Sequence, residues 1–272
     1  MLGEVTVTEC GAGVRIHTYA APEEGWRVNT LLIELPTQSI AVDAQYTLRY
    51  AHEVVDTIAA LGKPLARLYV THYHPDHLLG AAAFAAPLYA LAEVKARIDL
   101  IGDRVAAEEH SKLGDIIPDR AKRPSRIVVP GMEIIEGTRF EFFRLRHAET
   151  EDALMIGLPD HRVLITQDLI YNGVHVFIAE QAFDSWGVAL EKYRALPYER
   201  ILPGHGAPGG PELYDAMAHY LSVARVALSE ASSPADLKRR LILAFPEFGG
   251  WTLLDHQMRF LFPARQNDDQ HR

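Results

Sequence analysis

The sequence predicts an α/β protein in which two β-sheets pack together with helices outside. Two observations carry this. The chain runs β-rich, then α, then β-rich, then α, and apolar faces in that order bury best as stacked layers. At 272 residues and 48% hydrophobic composition, the chain can also bury a sizeable core.

The elements follow in order. Short apolar runs rich in β-formers predict strands over 4–9, 13–19, 28–35 and 39–43. A helix is expected over 47–61, then a strand over 66–71 ending at His72. Helices follow over 77–85 and 91–111. The Pro- and charge-rich stretch 112–126 reads as a loop near a site entrance. Strands return over 126–129, 139–146, 153–158 and 162–167. A helix over 184–196, capped by Asp184 or Ser185, precedes the strand Arg200-Ile201-Leu202 and the turn Pro203-Gly204-His205-Gly206. Helices over 211–230, 234–244 and 252–262 close the chain. The expected division is a catalytic domain over 1–210 and a helical extension over 211–272 packed on it. The aromatic tail 231–263 is open to three readings: a roof over a substrate pocket, a surface for a homodimer, or plain helical packing.

The net charge of −9, with no Lys/Arg run longer than the three residues Lys238-Arg239-Arg240, argues against nucleic acid as a partner. Arg120, Lys122, Arg123 and Arg126 form at most a local patch. A single cysteine, Cys10, rules out an intrachain disulfide and reads as a small hydrophobe. No secretory signal is evident at the start and no apolar stretch approaches ~18 residues. The expectation is a cytoplasmic protein acting on a small molecule, away from membranes.

The chemistry concentrates in His72-Tyr73-His74-Pro75-Asp76-His77. Neutral imidazole and carboxylate are the donors that a borderline divalent metal takes. His72 and His74, two apart at a strand end, share a face. Pro75 breaks the strand, and Asp76 and His77 open the next segment. Three distant residues have settings that match. His147 follows a predicted strand, as His72 does. Asp168 ends an apolar strand, where a carboxylate is expensive unless paired or metal-bound. His205 sits between Gly204 and Gly206, which let backbone approach a site closely. Other histidines, His271 among them, read as surface or hydrogen-bonded residues.

The set His72-x-His74-x-Asp76-His77, His147, Asp168 and the Pro203-Gly204-His205-Gly206 turn resembles the five ordered motifs of the metallo-β-lactamase superfamily, over roughly residues 28–206. The resemblance implies a four-layer αβ/βα sandwich with a binuclear site at one edge. It implies that His72, His74 and His147 hold one metal, that Asp76, His77 and His205 hold a second, and that Asp168 bridges them. The two divalent ions would be zinc first, with iron or manganese as alternatives. The implied reaction is hydrolysis by a bridging hydroxide, with Asp76 orienting it.

Within the superfamily, His74 disfavours the flavodiiron proteins, which carry Glu there. The short span from Asp168 to His205 disfavours nucleases of the β-CASP kind. Asp168 disfavours dedicated β-lactamases, which place Cys or Ser at that motif. The stretch Arg146-His147-Ala148-Glu149-Thr150-Glu151-Asp152 departs from the Gly-His-Thr-x-Gly of glyoxalase II and persulfide dioxygenases. In it Glu149, Glu151 or Asp152 would orient a ligand His, or form a solvated acidic turn. Tyr171 stands where the superfamily's acyl-homoserine lactonases carry a Tyr, and would donate to the substrate oxygen. His175 would line the same pocket; Trp186 and Tyr193 read as core. The leading expectation is a lactonase- or esterase-like zinc hydrolase on the branch with a bridging Asp. A mononuclear iron dioxygenase, a phosphodiester, sulfate-ester or β-lactam hydrolase, and a non-catalytic binding module are the alternatives.

Overall fold

The computed structural model describes residues 1–263; His271 lies outside them. Strands β1 (Glu4–Gly11), β2 (Val14–Ala20), β3 (Asn29–Glu34), β4 (Ser39–Val42), β5 (Leu65–Tyr69), β6 (Leu88–Leu91) and β7 (Arg126–Val128) form one sheet in chain order. Its first four strands are antiparallel and the rest join in parallel. Strands β8 (Gly131–Ile135), β9 (Thr138–Arg146), β10 (Asp152–Leu158), β11 (Val163–Asn172) and β12 (Arg200–Gly206) form the second sheet, in the order 12-11-10-9-8. The expected sandwich of two sheets is present. Strands β3 and β4 are buried along their whole length, as strands covered on both faces are.

Among the described residues seven α-helices accompany the sheets: α1 (Leu48–Ala60), α2 (Pro75–Leu78), α3 (Ala92–Leu113), α4 (Phe183–Arg194), α5 (Glu212–Glu230), α6 (Pro234–Ala244) and α7 (Trp251–Leu261). The Thr47 hydroxyl caps α1 by accepting from Tyr50 N. Tyr50, Val54 and Ile58, spaced by four, form its buried stripe. Among the described residues no helix is long and apolar enough to cross a membrane.

Several elements depart from the sequence reading. Strands β6 and β8 were not expected. Leu88-Tyr89-Ala90-Leu91 is short and made largely of helix formers, and only its parallel pairing with β5 and β7 makes it a strand. The helix expected over 77–85 is one α-turn followed by a 3-10 segment, Leu79–Ala83. The segment passes close to the chain after β4: a Cβ on Gly80 would stand 1.9 Å from the Ala44 carbonyl oxygen. Neither Asp184 nor Ser185 caps α4, which starts after Ala182 without a side-chain cap. The stretch 112–126 packs on the sheet edge, where Lys122 Nζ donates to the Phe84 and Ala86 carbonyls at 2.6 and 3.0 Å. Trp186 and Tyr193 are buried, as expected of core residues.

Candidate metal centre

The motif His72–His77 follows β5, and its position is fixed by backbone bonds to the end of β4: Ala44 N donates to His77 O at 3.0 Å and Gly80 N to Gln45 O at 2.9 Å. From the other sheet, the turn after β9 supplies Glu149, and β11 and β12 supply Asp168 and His205. Strands β11 and β12 are in parallel register, but between Gln167 and Tyr171 that register slips. The slip sets Asp168 against Gly204, where an added Cβ would meet its Oδ1 at 1.9 Å. The glycine is therefore required for the carboxylate to lie there.

Three groups of donors converge: His72, His74 and Glu149; His72, His77 and Asp168; and Asp76, His77 and His205, each within 4.8 Å of one another. His77 Nε2 lies 3.3 Å from Asp168 Oδ1 and 3.4 Å from Asp76 Oδ2. His205 Nε2 lies 3.3 Å from both Asp76 Oδ2 and Asp168 Oδ2. His74 Nδ1 comes within 2.8 Å of Glu149 Oε1 without hydrogen-bond alignment.

The outer nitrogens are committed elsewhere. His77 Nδ1 donates to Asp43 Oδ2 at 2.7 Å, His205 Nδ1 to the Trp26 carbonyl at 2.8 Å, and His72 Nδ1 lies 3.1 Å from the Thr71 hydroxyl, which itself donates to Asp43. This assignment leaves an Nε2 lone pair on each ring facing the centre. Those three nitrogens, both Glu149 oxygens and Asp168 Oδ1 are buried and have no hydrogen-bond partner. Buried polar atoms are otherwise almost always paired, so six such atoms in one place fit a site built for cations. The electrostatics agree. Burial opposes a charge on His205, yet Asp168 and Asp76 outweigh it and raise its pKa to about 9. Burial opposes ionisation of Asp76, yet His77 and His205 hold it well below the usual range. Burial pushes the Glu149 carboxyl up to about 7, against the pull of His74.

Six of the seven metal-site residues expected from the sequence thus meet in one place; His147 does not. His147 is exposed and its backbone is left-handed, at φ 52°. A tight turn forms there, in which His147 N donates to Glu151 O at 2.9 Å and Ala148 N to Thr150 O at 3.1 Å. The turn throws the imidazole outward and tucks Glu149, 2% exposed, into the third donor position. Asp43 was also missed. It accepts from Thr71 N, Thr71 Oγ1, His77 Nδ1 and Gln167 Nε2. The signal used for Asp168, a carboxylate at the end of an apolar strand, would have found it.

Tyr171 reaches the site but is engaged: its hydroxyl donates to Asp168 Oδ2 at 2.6 Å and its ring stacks on His205 at 4.5 Å. His175 does not reach it. That ring is buried among Tyr220, Phe248 and Trp251, with Nδ1 3.1 Å from the Tyr220 hydroxyl, and it is not among the residues that line the cavity. The cavity opens over the donor cluster and has a volume of about 300 Å³. His74, Asp76, Glu149, Asp168 and Tyr171 line its floor; α3, the segment after β11 and α7 supply its walls. Residues 112–126, expected near the entrance, contribute nothing to that lining.

Comparison with known proteins gives three findings. The profile of the Metallo-beta-lactamase superfamily matches residues 24–205. A linear primary-alkylsulfatase from Pseudomonas sp. (strain ATCC 19151) is 26% identical over 217 residues, which are 65% of this chain and 41% of that protein. The chain therefore spans less than half the length of that curated relative. Among solved structures, a metallo-beta-lactamase from Pontibacter korlensis shares the fold with a TM-score of 0.61 at 19% identity, over 80% of this chain and 99% of that one. The FIM-1 metallo-beta-lactamase from Pseudomonas aeruginosa gives 0.60 at 22% identity, over 82% and 96%.

Proposed function

This chain belongs to the metallo-beta-lactamase superfamily, and from that premise we propose that it is a metal-dependent hydrolase of small esters that carry an apolar arm. The observation that carries the reading is the cluster of unpartnered buried donors on the floor of a cavity whose walls combine an apolar strip (Ile101, Val105, Phe177, Leu253 and Phe260) with charged side chains. The donors fit divalent ions, with two zinc ions as the first expectation for imidazole and carboxylate. Bound there, such ions supply a water acidic enough to attack near neutral pH and a Lewis acid for the ester oxygen.

The chain's own residues do the rest. Asp43, Thr71 and the Trp26 carbonyl fix the imidazoles in tautomer and orientation. Asp76 stays ionised and lines the cavity, where it accepts a hydrogen bond from the attacking water. Tyr171 holds Asp168 in place by donating to Oδ2.

For the ester class, a sulfate ester is favoured over a lactone. The lactone expectation rested on the seven-donor set together with Tyr171, whose hydroxyl is engaged with Asp168. Arg97, Arg104 and Arg259 line the cavity beside Glu108, Glu109 and Glu180, with Arg259 paired to Glu109, and the guanidinium groups of Arg97 and Arg104 suit an anionic ester. The alkylsulfatase relative points the same way. The test is hydrolysis of n-alkyl sulfates, lactones, carboxylic esters, β-lactams and phosphodiesters by zinc-loaded protein, with Asp168→Ala as control. Alkyl sulfate turnover that disappears in the variant supports the reading. Turnover of lactones alone overturns the preferred ester class, and turnover that survives in metal-stripped Asp168→Ala overturns the mechanism.

A further inference from the structure

We propose that helix α7 sets the length of the substrate's aliphatic arm, with Phe260 as its outer stop. The inference rests on the reading of the site as an ester hydrolase. Helix α7 lies beyond residues 24–205, so the shared scaffold of the superfamily does not supply it. Leu253, His256 and Phe260 fall on one stripe of α7, at i, i+3 and i+7, and all three line the cavity. Facing them, Ile101 and Val105 stand one turn apart on α3. Phe177 joins this wall to the donors: its ring is edge-on to His74 at 5.0 Å and to Phe260 at 5.9 Å. An arm leaving the donor cluster therefore has an apolar strip to follow, from Phe177 past Leu253, Ile101 and Val105 to Phe260, which is 49% exposed at the end of α7, with Arg97, Arg104, Glu108, Glu109, His256 and Arg259 flanking that strip.

A length limit needs a fixed end, and α7 is fixed from three sides. Buried Gln257 donates to Val176 O at 2.9 Å and accepts from Ile178 N at 2.9 Å, so it holds the backbone on either side of Phe177. Glu23 accepts from Gly250 N and Thr252 N at 3.0 and 3.1 Å. Arg259 Nη2 donates to Glu109 Oε1 of α3 at 3.2 Å. Helix α7 and Phe177 thus form one rigid wall. The cavity of about 300 Å³ holds roughly ten non-hydrogen atoms at about 30 Å³ each.

The test is calorimetric binding of n-alkanesulfonates from two to twelve carbons, which no hydrolase of this kind cleaves, to zinc-loaded and metal-free protein. Each buried methylene should tighten binding roughly fourfold until the cavity is full, after which affinity levels off. Phe260→Ala should move the levelling point to longer chains, and Val105→Trp to shorter ones, with and without metal. A series that is flat from the start, or a levelling point that neither variant moves, overturns the proposal. Hydrolysis of n-alkyl esters run in parallel separates the two readings. If the binding series behaves as expected and no ester is cleaved, the length limit stands and the reaction reading fails; if esters are cleaved and the series is flat, the reverse holds.

Discussion

Glu149→Gln isolates the third donor of the centre without changing its shape. Both carboxylate oxygens are buried and unpartnered, and they approach His74 Nδ1 to 2.8 Å and His72 Nε2 to 3.6 Å. Groups that merely orient a ligand change metal affinity by about 10–100-fold, so loss of a direct donor should weaken the first ion by roughly 100-fold or more. An ion present at about 1,000 times its Kd stabilises the native state by about 4 kcal/mol; weakened 100-fold, it stabilises by little more than 1 kcal/mol. For a chain of this size the zinc-induced gain in Tm should therefore shrink by roughly 5–10 °C. In metal-free protein the sign reverses. Burial raises the Glu149 carboxyl from 4.5 to about 7, so its contribution is present at low pH and is lost as pH rises through 7. At pH 8 the ionised group costs about 3 kcal/mol, and Glu149→Gln should raise the metal-free Tm. His147→Ala, at an exposed position, should change neither quantity. Thermal unfolding with and without zinc, together with chelator competition for affinity, reads both effects. Full zinc affinity in Glu149→Gln, or a lost ion in His147→Ala, would refute the assignment of Glu149 as the donor.

Three further outcomes are expected. Gly204→Ala places a Cβ 1.9 Å from Asp168 Oδ1 and must displace the carboxylate by about 1 Å; since such shifts cost on the order of 100-fold in rate, kcat should fall by that much, and a wild-type kcat would show that Asp168 need not lie against the turn. Tyr171→Phe removes the donor to Asp168 Oδ2 and should lower metal affinity by about tenfold with KM little changed; a raised KM at full affinity would return Tyr171 to the substrate. Burial works against ionised Glu34, but Arg15, Lys63 and His17 outweigh it and lower its pKa from 4.5 to about 2. Its contribution, about 2 kcal/mol with half-exposed Arg15 discounted, is present above pH 4.5 and is lost as pH falls toward 2. Denaturant unfolding of Glu34→Gln should show a flatter acid limb than the wild type, and parallel limbs would exclude the pairing.

What was legible in the sequence was local. His72, His74, Asp76 and His77 could be read as a group because a strand end and a proline turn define their geometry within a few residues, and the structure brings them together. Asp168 and His205 were legible because a carboxylate after an apolar strand and a histidine between glycines are unusual settings. His147 misled because it occupies the same kind of position, a strand end. What decides between it and Glu149 is a left-handed residue in the five-residue turn between β9 and β10, and no pattern of residue types encodes that. Strand β6 was invisible for a different reason: its backbone pairing is supplied by β5 and β7, and propensity describes a segment without its neighbours. The role of Tyr171 was likewise set by tertiary contact, since only the folded β11 brings its hydroxyl to Asp168.

The donor groups also bear on how the chain is held closed. Each of the three groups draws residues from both sheets: His72, His74, Asp76 and His77 follow β5, while Glu149, Asp168 and His205 come from the other side. An ion held by any of them ties together points separated by on the order of 100 residues, the span over which a covalent cross-link restricts the unfolded chain by nearly 5 kcal/mol. A chain with one cysteine has no such link of its own. The centre supplies a reversible one, so the catalytic ions would also work as removable staples. Their withdrawal should loosen the seam between the sheets before it disturbs either sheet.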